Sequence, residues 1–339
     1  MITHPHVVRE PVDGERLVEL RREEISVTAR DGVRLSLLCK APVDPAESRG
    51  HVVLIHGLRG TRHNWNLSRR SFQAYLVEQG FTTLCPELRG SGRSRDEGAP
   101  LPRSVRELVD LDLAAVVPEA AARAGGPLVL IGHSLGGLLA CLAAARWPDA
   151  VRAVVALGSP LRPGIDQPLM RLGSRVWVGL ARYSGLRDAT EGERASAALA
   201  AGRRLMDRLS LPGRVRDVFP GSLEPDLEAE HARLVSREPP PPGLVRDLAR
   251  LVLGRSPEGL DLTSELSRVR APLLCVAGDR DELAPPSSVS PLLDAVGSGS
   301  TRWMVAGEDG AHVGHFDLVL GHQAPRLVWR PVRDWLVQV

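Results

Sequence analysis

The chain has 339 residues, 43% of them hydrophobic, and sets 43 basic against 41 acidic side chains for a formal net charge of +2. That length and composition predict a globular protein with a sizeable core, either one large α/β domain or two small ones. The near balance of charge excludes a strong overall field toward nucleic acid, a membrane surface or an acidic ligand. No apolar run approaches the roughly 20 residues of a membrane-spanning helix, and the charged N-terminus has no secretory apolar segment, so the expected location is cytoplasmic.

Lys40 is the sole lysine, and the arginines are spread along the chain without forming a basic run, which reads as compositional bias. The four cysteines, Cys39, Cys85, Cys141 and Cys275, lie in apolar segments without paired C-x-x-C spacing and read as buried free thiols. After a polar leader, residues 25–42 (ISVTARDGVRLSLLCKAP) alternate apolar and polar positions around Asp31-Gly32, which predicts a two-stranded hairpin. From there HVVLIHG (51–57), FTTLCPEL (81–88), PLVLIGHS (127–134), VRAVVALGSP (151–160) and PLLCVAGD (272–279) are short, dense apolar runs, as in parallel strands buried on both faces.

Helical patterns over Ser68–Glu78, Ser104–Arg123 and Leu135–Arg146 separate these runs, so the chain predicts a mostly parallel central sheet with helices on both faces and right-handed crossovers. Ligands of such sheets bind outside the carboxyl ends of the strands. Between about Pro160 and Arg268 the rhythm breaks into helical stretches at 167–182, 193–209 and 241–254, with Pro239 to Pro242 as a stiff connector. The expected organisation is therefore a core over 1–159, an inserted helical cap over 160–268 and the rest of the core over 269–339, closing with an amphipathic helix from Pro325 to Val337.

Gly-His-Ser-Leu-Gly, residues 132–136, follows a predicted strand and precedes a predicted helix. On so sharp a turn the serine is strained, small neighbours prevent clashes, and the hydroxyl of Ser134 stands exposed above the sheet. A serine hydroxyl needs a base to take its proton, and the base needs an acid to fix its tautomer. GDRDELAPP (278–286) offers Asp279 and Asp281, and DGAHVGHFD (309–317) offers His312 and His315, in that order along the chain. No residues show metal-ligand spacing and no glycine-rich phosphate loop appears, so neither metal nor cofactor is expected.

Together these motifs resemble the α/β-hydrolases over nearly the whole chain. The resemblance implies Asp281, four residues before Pro285, as the acid, and His315, in GHFDLVLG, as the base. It also implies the backbone N–H groups of Leu58, in LIHGLRGTRHNW (54–65), and of Leu135 as the oxyanion hole. His133, His63 and Trp65 are candidates for the substrate pocket, although packing of their loop beneath the cap is the favoured reading for His63 and Trp65. PELRGSGRS (86–94) is similar to a family turn in which Glu87 replaces the usual aspartate, and it reads as structural.

The implied activity is a serine hydrolase acting on a carboxylester, lipid-like or thioester bond of a small acyl substrate through an acyl-serine intermediate. Its activity should rise with pH as His315 loses its proton, with an apparent pKa between about 6 and 7.5. The alternatives are an acyltransferase on the same triad, toward which the similarity of residues 314–336 to polyhydroxyalkanoate synthases points, and a catalytically weak ligand-binding protein. Those synthases carry cysteine where Ser134 stands. An apolar face over Leu169–Leu180 would favour acyl chains of medium length if it lines the pocket. No feature of the sequence indicates an oligomeric state.

Overall fold

The computed structural model describes residues 4–163, 175, 223–234 and 241–339. The polar leader, for which the sequence predicts no element, forms β1 (His6–Asp13) and the first part of β2 (Arg16–Thr28), paired antiparallel from His6 opposite Arg22 to Asp13 opposite Arg16. Gly14, at φ +61°, makes the turn after Asp13, and Asp-Gly is a residue pair such hairpins favour. Val12 and Leu20 are buried while the charged residues between them face outward, so a strand pair lies inside a segment that is charged throughout. The expected hairpin follows: β2 pairs antiparallel with β3 (Arg34–Ala41) around Asp31-Gly32.

The remaining strands are β4 (His51–Ile55), the two-residue strands β5 (Asn66–Leu67) and β6 (Arg70–Ser71), β7 (Thr82–Glu87), β8 (Leu128–His133), β9 (Val151–Leu157), β10 (Leu273–Gly278) and β11 (Thr301–Ala306). All eleven join one sheet in the order β11-β10-β9-β8-β4-β7-β3-β2-β1-β6-β5. From β11 to β7 the pairs are parallel, and from β7 onward they are antiparallel. Every residue of β8 and of β10 is buried, as continuous apolar runs in a sheet covered on both faces require.

Two apolar cores, one on each face, hold the helices. The first packs Leu135–Arg146, Ala114–Ala124, Pro242–Val252 and Leu262–Leu266; the second packs Phe72–Glu78, Asp317–Leu320 and the C-terminal helix. Leu135–Arg146 runs as the pattern predicts. Phe72–Glu78 begins four residues later than expected, because residues 66–71 form the β5–β6 ribbon and Ser71 then caps the helix by accepting from the Ala74 N–H at 2.9 Å. The expected helix from Ser104 contains a wider π-type stretch at Leu108–Leu113 and carries Pro118 in Ala114–Ala124.

The described part of 160–268 contains the helices Pro225–Leu234, Pro242–Val252 and Leu262–Leu266 and no strand. The stretches at 167–182 and 193–209, with the apolar face over Leu169–Leu180, lie outside the described residues. Ion pairs from Arg70 to Glu224 and from Arg69 to Asp226, with hydrogen bonds from Ser68 to Glu230, fasten Pro225–Leu234 to the core. Lys40 is buried at 2.5 Å from Glu10 and 2.7 Å from Asn66, and all four cysteines are unpaired. Among the described residues no helix is long and apolar enough to cross a membrane.

Candidate active site

β8 delivers the chain to Ser134 at φ +57° and ψ −125°. Among the described residues only Arg59 shares a positive φ without being glycine. Holding an L-residue there costs about 1–3 kcal/mol, so the surrounding structure must impose it. The Ser134 N–H donates to the Leu157 carbonyl at 2.8 Å, and its carbonyl accepts from the Gly137 N–H at 3.1 Å. A methyl group on Gly132 would lie 2.1 Å from the Gly136 carbonyl oxygen, and one on Gly136 would lie 2.1 Å from that of Ile55. The turn closes only because both positions lack a side chain. Ser134 makes no side-chain capping bond to its helix, which leaves the hydroxyl free for chemistry.

The candidate acids and bases sort into two separate pairs. His315 Nδ1 lies 2.7 Å from Asp281 Oδ2, with both side chains buried. Asp281 Oδ1 accepts from the N–H groups of Leu283 at 2.9 Å and Ala284 at 2.7 Å, so both carboxylate oxygens are held. Gly158, at φ +51°, makes room for this pair: a methyl there would sit 3.1 Å from Asp281 Oδ2 and 3.2 Å from His315 Nδ1. Asp279 holds His312 Nδ1 at 2.6 Å and the Val313 N–H at 2.8 Å, but 47% of the His312 side chain is exposed.

A cavity of about 300 Å³ opens at the carboxyl ends of β4, β8 and β9, lined by Ser134, His315, His133 and Asn64 among otherwise largely apolar residues. His312 does not border it. Leu58 and Leu135 both do, and Gly57 lies close against Ser134, since a methyl there would fall 2.9 Å from Ser134 Cβ. The Leu135 N–H opens its helix, where no intrahelical carbonyl is available to it. Ser134 Oγ and the His315 ring face the same space without a hydrogen bond between them. Among the described residues no three His, Cys, Asp or Glu side chains are grouped as a metal site would need.

Of the three candidate pocket residues, His133 lines the cavity and the other two do not. Trp65 is fully buried in the second core against Phe72, and His63 is half-buried with Nδ1 at 3.3 Å from the Asn66 carbonyl. The reason is local: Thr61 caps a single 3-10 turn over Arg62–Asn64, which turns Asn64 toward the cavity and its neighbours away from it. Asn64 and Phe316, absent from the sequence expectation, carry no motif that would have marked them. Glu87 is buried, accepting from the Arg62 backbone and guanidinium and from the Arg93 N–H, and so ties this loop to the end of β7.

His133 is 1% exposed; its Nε2–H donates to the His315 carbonyl at 3.0 Å, and the two rings lie 4.6 Å apart. Burial, reinforced by His315, holds it well below the usual imidazole range and therefore neutral. His231, on Pro225–Leu234, packs on Phe316 at 4.8 Å, and burial pushes its pKa down to about 4. An unfolded histidine titrates near 6.5, so the unfolded chain takes up the extra proton as pH falls toward 4. The stabilising contribution of neutral His231 is thus complete above about pH 6.5 and lost on acidification. Between pH 7.5 and pH 5, His231→Phe is expected to gain about 2 kcal/mol relative to the unsubstituted protein in denaturant unfolding. A difference that does not change with pH would count against a buried neutral His231.

Residues 50–319 match the family model described as alpha/beta hydrolase fold. Over 325 residues the chain is 27% identical to a monoacylglycerol lipase of Mycolicibacterium smegmatis, covering 95% of this chain and 99% of that one. Among solved structures, a soluble variant of monoglyceride lipase from Saccharomyces cerevisiae superposes with a TM-score of 0.61 at 17% identity, over 99% of this chain and 96% of that chain. A thermophilic esterase from Thermogutta terrifontis gives a TM-score of 0.57 at 21% identity, over 93% of this chain and 98% of its own. At those identities the structural likeness is one of fold. The chain belongs to the α/β-hydrolase fold family.

Proposed function

We propose that this α/β-hydrolase cleaves carboxylic esters of apolar acyl chains through an acyl-enzyme on Ser134, with His315 as base and Asp281 as its orienting acid. One observation carries the reading: a serine held in a strained turn and the histidine of a buried Asp–His pair border the same largely apolar cavity. The names of the lipase and esterase relatives support ester hydrolysis, and that of the Mycolicibacterium smegmatis lipase makes a monoacylglycerol the first substrate to try.

In the first step His315 Nε2 takes the Ser134 proton as Oγ bonds to the ester carbonyl carbon. Their hydrogen bond forms with substrate seated, as is common for catalytic pairs that are loose in the free enzyme. The negative oxygen of the tetrahedral intermediate accepts from the Leu58 and Leu135 N–H groups, and loss of one such donor raises the barrier by about 3 kcal/mol. Collapse breaks the bond to the alcohol oxygen, which takes the proton from His315. Water, deprotonated by the same imidazole, then bonds to the acyl carbon, and the bond to Oγ breaks as Oγ takes the proton back from His315, releasing the acid and regenerating Ser134. Asp281 keeps the proton of neutral His315 on Nδ1, so that Nε2 is free to accept.

The test is labelling with a fluorophosphonate followed by mass mapping, with Ser134→Ala as control. An adduct on Ser134 is expected; its absence from folded protein would exclude an activated serine. With p-nitrophenyl esters, octanoate should exceed acetate in kcat/KM by at least about tenfold, because added methylenes leave water for the apolar wall. A preference for acetate would remove the acyl-chain assignment.

A further inference from the structure

The cavity has two chemically different sides. Leu58, Leu135, Leu138, Leu248 and Leu251 belong to, or pack against, the apolar core on one face of the sheet. On the other side lies Phe316, whose ring meets His133 at 5.6 Å and His231 at 4.8 Å, while Trp65 stands edge-on to His133 at 6.5 Å. Buried polar atoms without a hydrogen-bond partner lie here, Trp65 Nε1, His133 Nδ1 and His231 Nε2, and with them Asn64 Oδ1, whose 3-10 turn packs on the helix that carries His231.

Two of these side chains line the cavity, Asn64 and His133; His133 already donates from Nε2 to the His315 carbonyl, whereas the Asn64 carboxamide is wholly unused. Asn64 is 3% exposed, and among the described residues its carboxamide makes no hydrogen bond. Leaving such a group unpaired costs about 1–3 kcal/mol, which a partner supplied by a ligand would recover. A hydroxyl both donates and accepts, so it satisfies an amide whichever of its polar atoms it meets. The alcohol half of the ester must lie on the His315 side, since its oxygen receives the proton from that imidazole, and His315 sits 5.4 Å from Phe316 and 4.6 Å from His133. The acyl chain is then left to the leucine-lined side.

We propose that Asn64 reads a free hydroxyl on the alcohol half of the substrate, making the enzyme selective for esters of polyols over esters of simple alkanols. This rests on the acyl-Ser134 reading above. Among the described residues nothing else lining the cavity offers a neutral, unpaired amide, and a site built to pair with a hydroxyl discriminates strongly against the analogue that lacks it.

Three octanoate esters sharing a three-carbon alcohol test this below their aggregation concentrations: 1-octanoylglycerol, its 2,3-di-O-methyl ether and propyl octanoate. The unsubstituted enzyme should prefer the glycerol ester over propyl octanoate by at least about tenfold in kcat/KM, with the dimethyl ether falling to the propyl level. In Asn64→Leu the glycerol-to-propyl ratio should collapse toward one, mainly through KM for the glycerol ester. A ratio taken within one preparation is indifferent to how much of it is folded, and the methylation series needs no variant at all. Equal rates on all three esters by a protein that labels at Ser134, or a preference that survives in Asn64→Leu, would overturn the assignment and leave the serine hydrolase standing. No label and no cleavage would remove both.

Discussion

Ser134→Ala is expected to lower kcat on an octanoyl ester by about 10⁵ to 10⁶, the loss typical when the nucleophile of such a unit is removed. Ser134→Gly should be equally inactive yet more stable. Ser134 sits at φ +57° and ψ −125°, a conformation that strains any residue with a Cβ by about 1–3 kcal/mol. Glycine adopts it freely but gives back about 0.5–1 kcal/mol in backbone entropy. The net expectation is a gain of about 1 kcal/mol for the glycine variant over the alanine one, read from denaturant unfolding. Equal stability of the two would limit the strain to about the 0.5–1 kcal/mol that glycine gives back, below what an imposed turn requires, and the presentation of the hydroxyl would need another cause. Substantial activity in Ser134→Ala would end the acyl-serine reading altogether.

The nucleophile turn is legible in the sequence because its constraint is steric and local: Gly132 and Gly136 each face a carbonyl oxygen at 2.1 Å from where a methyl would be. The parallel strands are legible for a similar reason, since a strand buried on both faces has no freedom to be polar. The N-terminal hairpin escapes, because in β1 and the start of β2 only Val12 and Leu20 are buried among arginine and glutamate, and so sparse an apolar pattern passes for a charged leader. Asn64 escapes because a single 3-10 turn decides which of three consecutive polar or aromatic residues points inward. The two Asp–His pairs follow the same order along the chain, and only the resemblance, through Pro285 and the GHFDLVLG stretch, favours one of them. What separates them is burial, and burial here depends on Gly158, a residue of a different loop that makes room for only one of them.

Asp281→Asn should reduce kcat by about 10⁴, while Asp279→Asn should stay within about threefold of the unsubstituted enzyme. The asymmetry follows from how each carboxylate is held. Asp281 Oδ1 is fixed by the N–H groups of Leu283 and Ala284, so an asparagine must point its oxygen at them and its NH₂ at His315. His315 Nδ1 would then have to accept rather than donate, moving the ring proton to Nε2, where it blocks removal of the Ser134 proton. The imidazolium formed during the reaction would also lose its charged partner. Neither loss weakens ester binding much, so KM should change little while kcat falls. Asp279 makes the same kind of contact to His312, but that pair is partly exposed and His312 does not reach the cavity, so its effect is confined to the loop. Equal losses in the two variants would mean that the exposed pair also serves the reaction. A loss confined to Asp279→Asn would exchange the roles of the two pairs and, with them, the identity of the base.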